Sequence, residues 1–338
     1  VTRAKVVITH WVHDEVIELL ERSCTVVANR SRETHSRDEI LRRSRDAEAL
    51  MAFMPDRIDE DFLDACPRLR IIAAALKGYD NFDVTACTRR SVWLTIAPSL
   101  LTEPTAELAV GLLLGISRNI PAGDRLVRSG EFRGWQPVLY GKSLAGATVG
   151  VVGMGAIGQA VAGRLAAFGS RVIYSDPRAL DPEAERALGL VRHPLEDLLA
   201  ESDFILVTAP LTAQSRHILD AAALARVKPG GYLVNIGRGS VLDEAAVAAA
   251  LSSGQLAGYA ADVYEFEDRE RPDRPLGIHP ALLACPDKTL FTPHLGSAVE
   301  GVRLQIELEA ARAILSVLGG AEPVGAINNP SNYDPTSR

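Results

Sequence analysis

The stretch Thr148–Asp176, TVGVVGMGAIGQAVAGRLAAFGSRVIYSD, constrains this chain more than any other. An apolar run, Val149 to Val152, has the composition of a buried strand and enters Gly153-Met154-Gly155-Ala156-Ile157-Gly158 directly. A helical run, Gln159 to Phe168, a second strand-like run, Arg171 to Ser175, and Asp176 follow. Strand, glycine turn, helix, strand, acid is the order of a dinucleotide-binding βαβ unit. Gly153 permits the tight turn, Gly155 lets a pyrophosphate approach the backbone, and Gly158 lets helix and strand pack closely. The helix N-terminus offers unpaired N–H groups and a positive dipole end to the phosphates. Asp176, 18 residues after Gly158, is placed to accept hydrogen bonds from a ribose diol. Its charge repels a 2′-phosphate and so favours NAD over NADP, although Arg178 could accommodate part of one. The plainer alternative is a glycine-rich βα turn that binds nothing. Arg164, Gln159 and the glycines rule out a transmembrane reading of the run.

At 338 residues the chain can hold two domains, each with its own core. A net charge of −7 argues against broad nucleic-acid affinity. Cys24, Cys66, Cys87 and Cys285 lie far apart with no CxxC, which suits small buried hydrophobes in a reducing compartment and suggests no metal site. The opening VTRAKVVITH enters a strand almost at once, and neither a signal peptide nor a membrane span is read, so the expected location is cytoplasmic.

Short strands are expected at Lys5–Thr9, Cys24–Ala28, Ala47–Phe53, Leu69–Ala75 and Val92–Ala97, with helices at Val12–Glu21, Ser36–Ser44, Asp59–Ala65 and Asp83–Arg89. A long apolar helix, Ala106–Ser117, follows Thr102-Glu103-Pro104-Thr105, then a polar, aromatic arm, Arg125–Lys142. After the glycine motif the alternation resumes, with strands at Phe204–Thr208, Gly231–Ile236, Leu256–Ala261 and Thr289–Thr292 and helices at Leu195–Ala200 and Asp243–Ser252. A second long helix covers Ala298–Leu318, and the tail Gly319–Arg338 reads as loosely ordered or draped over a partner. The fold class is α/β, with two doubly wound parallel-sheet domains. Because the motif sits mid-chain, residues 101–297 form an inserted cofactor domain, and residues 1–100 with 298–338 form the substrate domain. The long helices join them, and a cleft between domains is the expected site.

Three further segments carry chemistry. In Asn235-Ile236-Gly237-Arg238-Gly239-Ser240 an arginine stands on a glycine-flanked turn at a strand end, where it can grip an anion with two hydrogen bonds or merely cap the next helix. Ala261-Asp262-Val263-Tyr264-Glu265-Phe266-Glu267 offers Asp262 and Glu267 for polar roles at another strand end, where either could equally be an ordinary solvated acid. In Thr292-Pro293-His294-Leu295-Gly296, a carboxylate on one imidazole nitrogen of His294 would leave the other as a poised base. A satisfied buried histidine is the alternative. His10, at a strand end, could also line the cleft.

GMGAIG, Asp176, NIGRGSVLDEAAV, ADVYEFE and TPHLGS, in that order over nearly the whole chain, resemble the D-isomer-specific 2-hydroxyacid dehydrogenases. The resemblance implies a Rossmann cofactor domain inserted into a flavodoxin-like substrate domain, NAD as cofactor, and a homodimer built around the cofactor domain. It implies Arg238 as the substrate arginine, Glu267 as the acid that orients the histidine and His294 as the acid/base. It implies further cofactor contacts at Ala156, Ile157, Ala209, Pro210, Gly237 and Asp262. Two departures from that family stand out. Lys77 and Gly78, in Ala75-Leu76-Lys77-Gly78-Tyr79-Asp80-Asn81, put a second cation where backbone N–H groups normally meet a carboxylate. Asp268 begins a charged insertion that runs to Pro275. With MAFMPDRID, RSGEFRGWQP and HLGSAVEGVRLQIE, these segments are similar to the family's phosphite (phosphonate) dehydrogenase branch. That similarity implies a small anionic substrate, phosphite, held by Arg238 and Lys77 with Arg303 nearby, in a pocket shaped by Met54, Trp135 and Tyr140. Core or dimer packing is the alternative for all three, and an equal one for Met54 and Tyr140. A D-2-hydroxyacid dehydrogenase or glyoxylate/hydroxypyruvate reductase is the second reading. A non-catalytic NAD-sensing module is the third, and the complete set of Arg238, Glu267 and His294 argues against it.

Overall fold

The computed structural model describes residues 3–332, which divide into two compact units, 3–101 with 298–332 and Thr102–Ser297. The first unit opens with β1 (Lys5–Ile8), α1 (Asp14–Glu21), β2 (Thr25–Ala28), α2 (Arg37–Ser44) and β3 (Ala49–Ala52). It continues with α3 (Glu60–Ala65), β4 (Ile71–Ala74), α4 (Val84–Arg89) and β5 (Trp93–Thr95). The strands form one parallel sheet in the order β2-β1-β3-β4-β5, the flavodoxin-like arrangement. Helix starts are fixed by side-chain caps: Ser36, Asp59 and Asp83 accept from the N–H groups of Glu39, Phe62 and Ala86.

The second unit contains α5 (Thr102–Ser117), α6 (Ile120–Arg128), β6 (Thr148–Val152), α7 (Ala156–Ala167) and β7 (Arg171–Ser175). Next come α8 (Pro182–Leu188), β8 (Val191–Arg192), α9 (Leu195–Glu201), β9 (Phe204–Val207), α10 (Ala221–Leu224) and β10 (Gly231–Asn235). It ends with α11 (Glu244–Ser253), β11 (Leu256–Ala261), α12 (Pro280–Leu283) and β12 (Thr289–Phe291). Its seven parallel strands run β12-β11-β10-β9-β6-β7-β8, a Rossmann order in which the sequence reverses direction between β6 and β9. The chain then returns to the first unit as α13 (Glu300–Leu318).

Both sheets are covered on both faces, so their central strands are mostly apolar, and successive side chains enter opposite cores. Val149 and Val151 pack with α5 and α7, whereas Val152, Ile205 and Val207 pack with α9 and α11. In the first unit Val6, Ile8 and Met51 face α1 and α13, and Val7, Leu50 and Ala52 face α3 and α4. Each such aliphatic side chain contributes about 1.5–3 kcal/mol on burial.

Several boundaries differ from the sequence reading. Helix α7 begins at Ala156, not Gln159, because a helix tolerates Gly158 where close packing demands it: a Cβ there would lie 2.5 Å from the Gly153 carbonyl oxygen. Helix α5 begins at Thr102, with Pro104 in its first turn, where a proline costs no hydrogen bond. Helix α13 begins at Glu300, after Val299. Part of the expected arm is the helix α6, opened by Pro121. The tail is not loose as far as Asn332. Ala326 bridges Thr95, the Ile327 N–H donates to the Leu94 carbonyl at 2.9 Å, and the Asn328 side chain accepts from the Leu94 N–H at 2.8 Å. It closes the exposed edge of β5. Residues 333–338 lie outside the described residues. Among the described residues no helix is long and apolar enough to cross a membrane.

Candidate active site

In the second unit the glycine turn leaves β6 at Gly153, where φ is 94°, a value few other residues adopt. A Cβ on Gly153 would lie 2.7 Å from the Ala209 backbone, and one on Gly237 would lie 2.5 Å from the Ala209 carbonyl oxygen. Gly153, Ala209 and Gly237 therefore meet at the carboxyl ends of β6, β9 and β10. Thr208 Oγ1 bonds the Gly153 carbonyl, and Ser215 Oγ donates to the Pro210 carbonyl at 2.6 Å. Gly155 is the N-cap of α7 and makes no side-chain cap, and a Cβ placed on it would meet nothing within 4 Å. Gly155 and Ala156 are exposed and Ile157 is half-buried, so a pyrophosphate can reach this end of the helix. Asp176, just past β7, accepts from the Met154 and Arg178 N–H groups, each at 2.8 Å. The donor set and the bare helix end fit NAD.

Asp262, Glu267 and His294 come together past β11 and β12. Glu267 Oε1 accepts from the Tyr264 N–H at 2.9 Å, and Glu267 Oε2 lies 2.8 Å from His294 Nδ1. That bond turns Nε2 away from the carboxylate as the nitrogen available for proton transfer. His294 has φ 55°, the left-handed region, and its N–H donates to the carbonyls of Asp262 and Thr292, each at 3.0 Å. The Asp262 carboxylate secures the same loop. Its Oδ1 accepts from Thr292 Oγ1 at 2.6 Å and the Leu295 N–H at 2.7 Å, and its Oδ2 accepts from the Gly296 N–H at 2.9 Å. Burial raises the Asp262 pKa, and the Thr292 and backbone bonds oppose it.

Arg238 precedes a 3-10 turn, Gly239–Val241, and its Nη1 donates to the Gly237 carbonyl at 3.1 Å. Asn235, wholly buried, shapes the bend: Oδ1 accepts from the Gly237 N–H at 3.1 Å and Nδ2 donates to the Arg238 carbonyl at 2.9 Å. The turn lies against the backbone of Tyr264 and Glu265, where a Cβ on Gly239 would sit 1.9 Å from the Tyr264 carbonyl carbon. Arg238 is thereby held beside the turn that ends at Glu267.

The first unit gathers Met54, Lys77, Gly78 and Arg303 near the carboxyl ends of β3 and β4. Asn81 Nδ2 donates to the Met54 carbonyl at 2.8 Å, tying the lysine loop to the segment after β3. Arg303 Nη1 donates to the Ala75 carbonyl at 3.1 Å, and its guanidinium lies 5.7 Å from the Phe53 ring centroid. Burial lowers the pKa of Lys77, and it lowers that of Arg303 against the opposing pull of Glu307. Trp135 and Tyr140 occupy an irregular arm of the second unit and are 84% and 78% exposed, so neither packs in a protomer core. Sequence reasoning missed Asn235, Thr208 and the buried Asp56, which accepts from Thr9 Oγ1 at 2.6 Å and the Phe53 N–H at 2.7 Å. An asparagine ahead of a glycine turn was the available signal for Asn235.

Comparison with known proteins places this geometry. The profile described as "D-isomer specific 2-hydroxyacid dehydrogenase, NAD binding domain" matches residues 110–296. The chain is 37% identical to a glyoxylate reductase of Thermococcus onnurineus over 331 residues, 96% of each chain. A crystal structure of a Thermus thermophilus protein superposes with a TM-score of 0.86 at 35% identity, covering 96% of this chain and all of that one. A Sinorhizobium meliloti NADPH-dependent glyoxylate/hydroxypyruvate reductase, solved with NADP and malonate, gives 0.81 at 30% identity over 96% of this chain and 97% of that one.

Proposed function

Starting from the D-isomer-specific 2-hydroxyacid dehydrogenase family, to which this chain belongs, we propose that it is an NAD-dependent phosphite dehydrogenase with His294 as its base. The observation that carries the catalytic assignment is the 2.8 Å bond between His294 Nδ1 and Glu267 Oε2. It fixes the ring orientation and stabilises the imidazolium that forms when Nε2 takes a proton. Bound NAD⁺ supplies the hydride acceptor, so that phosphite, water and NAD⁺ give phosphate, NADH and a proton. Nε2 of His294 receives that proton from the attacking water. Arg238 binds the anion and stabilises charge on its oxygens. The choice of phosphite rests on Lys77. A phosphite carries up to two negative charges, and Lys77 adds a cation to the one that a single carboxylate needs. Burial disfavours the charged form of this lysine, and a bound dianion restores it. Gly78, Met54 and Arg303 are proposed as further substrate contacts, whereas Trp135 and Tyr140, exposed on the arm, are given to the subunit interface below.

A second reading is favoured by the names of the relatives. The glyoxylate reductases of Thermococcus and Sinorhizobium point to reduction of glyoxylate or hydroxypyruvate, or oxidation of a D-2-hydroxy acid, by the same Arg238, Glu267 and His294. On names alone the comparisons support this reading better than phosphite. Hydride transfer assayed in both directions separates the two: NADH formation from phosphite, and NADH consumption with glyoxylate and hydroxypyruvate. Activity confined to the oxo acids overturns the phosphite assignment and leaves the catalytic residues in place.

We also propose a homodimer. Phe132, Trp135, Val138, Leu139 and Tyr140 of the arm, with Ile120 and Val127 of α6, are all exposed in a single protomer. A second copy would cover this apolar surface.

A further inference from the structure

The charged run after Glu267 has no role in the reaction described so far, yet it folds back onto the turn that carries Arg238. Asp268, buried, accepts from the Ser240 N–H at 2.7 Å. Arg271 Nη1 donates to Ser240 Oγ at 2.6 Å and to Glu265 Oε2 at 3.1 Å. The rest of its guanidinium meets the Asp273 carboxylate at 3.2 and 3.3 Å. Arg274 Nε donates to the Phe266 carbonyl at 3.0 Å and pins the segment to the neighbouring turn.

Beneath this layer two acids are buried together. Glu244 is 3% exposed and Glu265 7%. The Glu244 N–H donates to Glu265 Oε1 at 2.9 Å, and the Glu265 N–H donates to Glu244 Oε1 at 3.0 Å. Each side chain thus caps the other's backbone. Two carboxylates in a buried setting repel, and burial raises the Glu244 pKa, with the Glu265 charge adding to it. Arg271 faces the pair with an offsetting positive charge, and His217 Nε2 lies 3.1 Å from Glu265 Oε2. His217 also donates its N–H to the Ser240 carbonyl at 2.8 Å.

We propose that the segment Asp268–Arg274 is a clamp that fixes the Arg238 turn against the Glu267 turn, with Arg271 as its positioning residue. Arg271 Nη1 bonds both turns at once, at Ser240 Oγ on one and Glu265 Oε2 on the other, while His217 and Asp268 touch the same two turns through separate atoms. Its planar, always-charged fork suits that task, and an ammonium does not reproduce it. The clamp governs how well Arg238 is aimed at the anion, so it acts on substrate binding. This rests on the assignment of Arg238 to the substrate site.

The test compares wild type, Arg271→Ala, Arg271→Lys, Ser240→Ala, Arg271→Ala/Ser240→Ala and Arg238→Ala in the full chain. Phosphite with NAD⁺ and glyoxylate with NADH are the substrate probes, and NAD⁺ affinity and melting temperature are followed alongside. Arg271→Ala is expected to raise KM for the substrate turned over by about tenfold, change kcat by less than about threefold and leave NAD⁺ affinity unchanged. Arg271→Lys should recover part of the KM, Ser240→Ala should raise it less, and the double variant should match Arg271→Ala alone. An unchanged KM in Arg271→Ala overturns the clamp. So does a joint loss of KM, kcat and NAD⁺ affinity in every Arg271 variant, or full additivity in the double variant. If Arg271→Ala does not fold, Ser240→Ala decides, because it removes only the hydroxyl: a wild-type KM there sinks the proposal. Wild-type KM in Arg238→Ala would instead bring down the site reading itself.

Discussion

His294 sits at φ 55°, a conformation that costs a histidine on the order of 1 kcal/mol and persists only where neighbours enforce it. Those neighbours are the three bonds of Asp262 to the loop and the Glu267 carboxylate on Nδ1. His294→Ala is expected to lower kcat by at least about 10²-fold and leave NAD⁺ affinity intact, as read by fluorescence titration with parallel turnover. Wild-type turnover in that variant would remove His294 from the mechanism. Lys77 gives a pH signature. Deprotonation with rising pH removes its charge, and burial places that step below the usual lysine range. The alkaline limb of kcat/KM for phosphite should therefore lie below the ordinary lysine pKa and move to higher pH in Lys77→Arg. A limb that stays put in Lys77→Arg assigns it to another group. Asp176 predicts that kcat/KM with NAD exceeds that with NADP at least about tenfold; parity would contradict the role given to its carboxylate.

At the scale of elements, two turns from different strands are locked into one surface. Gly239 allows this, since any Cβ would enter the Tyr264–Glu265 backbone. Gly239→Ala should cost about 2–4 kcal/mol of stability in chemical denaturation, and a midpoint equal to wild type would show that the turns can part freely. Much of this level was legible in the sequence. The glycine spacing, the acid after β7 and the continuous apolar runs follow from local sterics and burial, and they gave every strand except β8 to within one or two residues at each end. What escaped depends on partners far away in sequence. Glu244 and Glu265 look like ordinary solvated acids until the fold brings their backbones together. Asp268 and Arg271 look like a surface insertion until they close on Ser240. The tail reads as loose because its order comes from an edge strand that composition cannot reveal, through Ala326, Ile327 and Asn328.

For the whole molecule, the exposed aromatic arm predicts a dimer. Light scattering on the purified chain should give twice the 36.3 kDa protomer mass, and a monomer at micromolar concentration would contradict the interface assigned to Trp135 and Tyr140. The family membership and the paired His294 and Glu267 leave the substrate as the open choice between a phosphorus oxyanion and a carbon oxo or hydroxy acid. The most direct measurement is the initial rate of NADH formation, followed by absorbance, with NAD⁺ and phosphite beside D-lactate, D-glycerate and glycolate. Turnover of phosphite far above every hydroxy acid is the predicted result. Silence on phosphite with turnover of a hydroxy acid would contradict it and give the chain the chemistry that its named relatives carry.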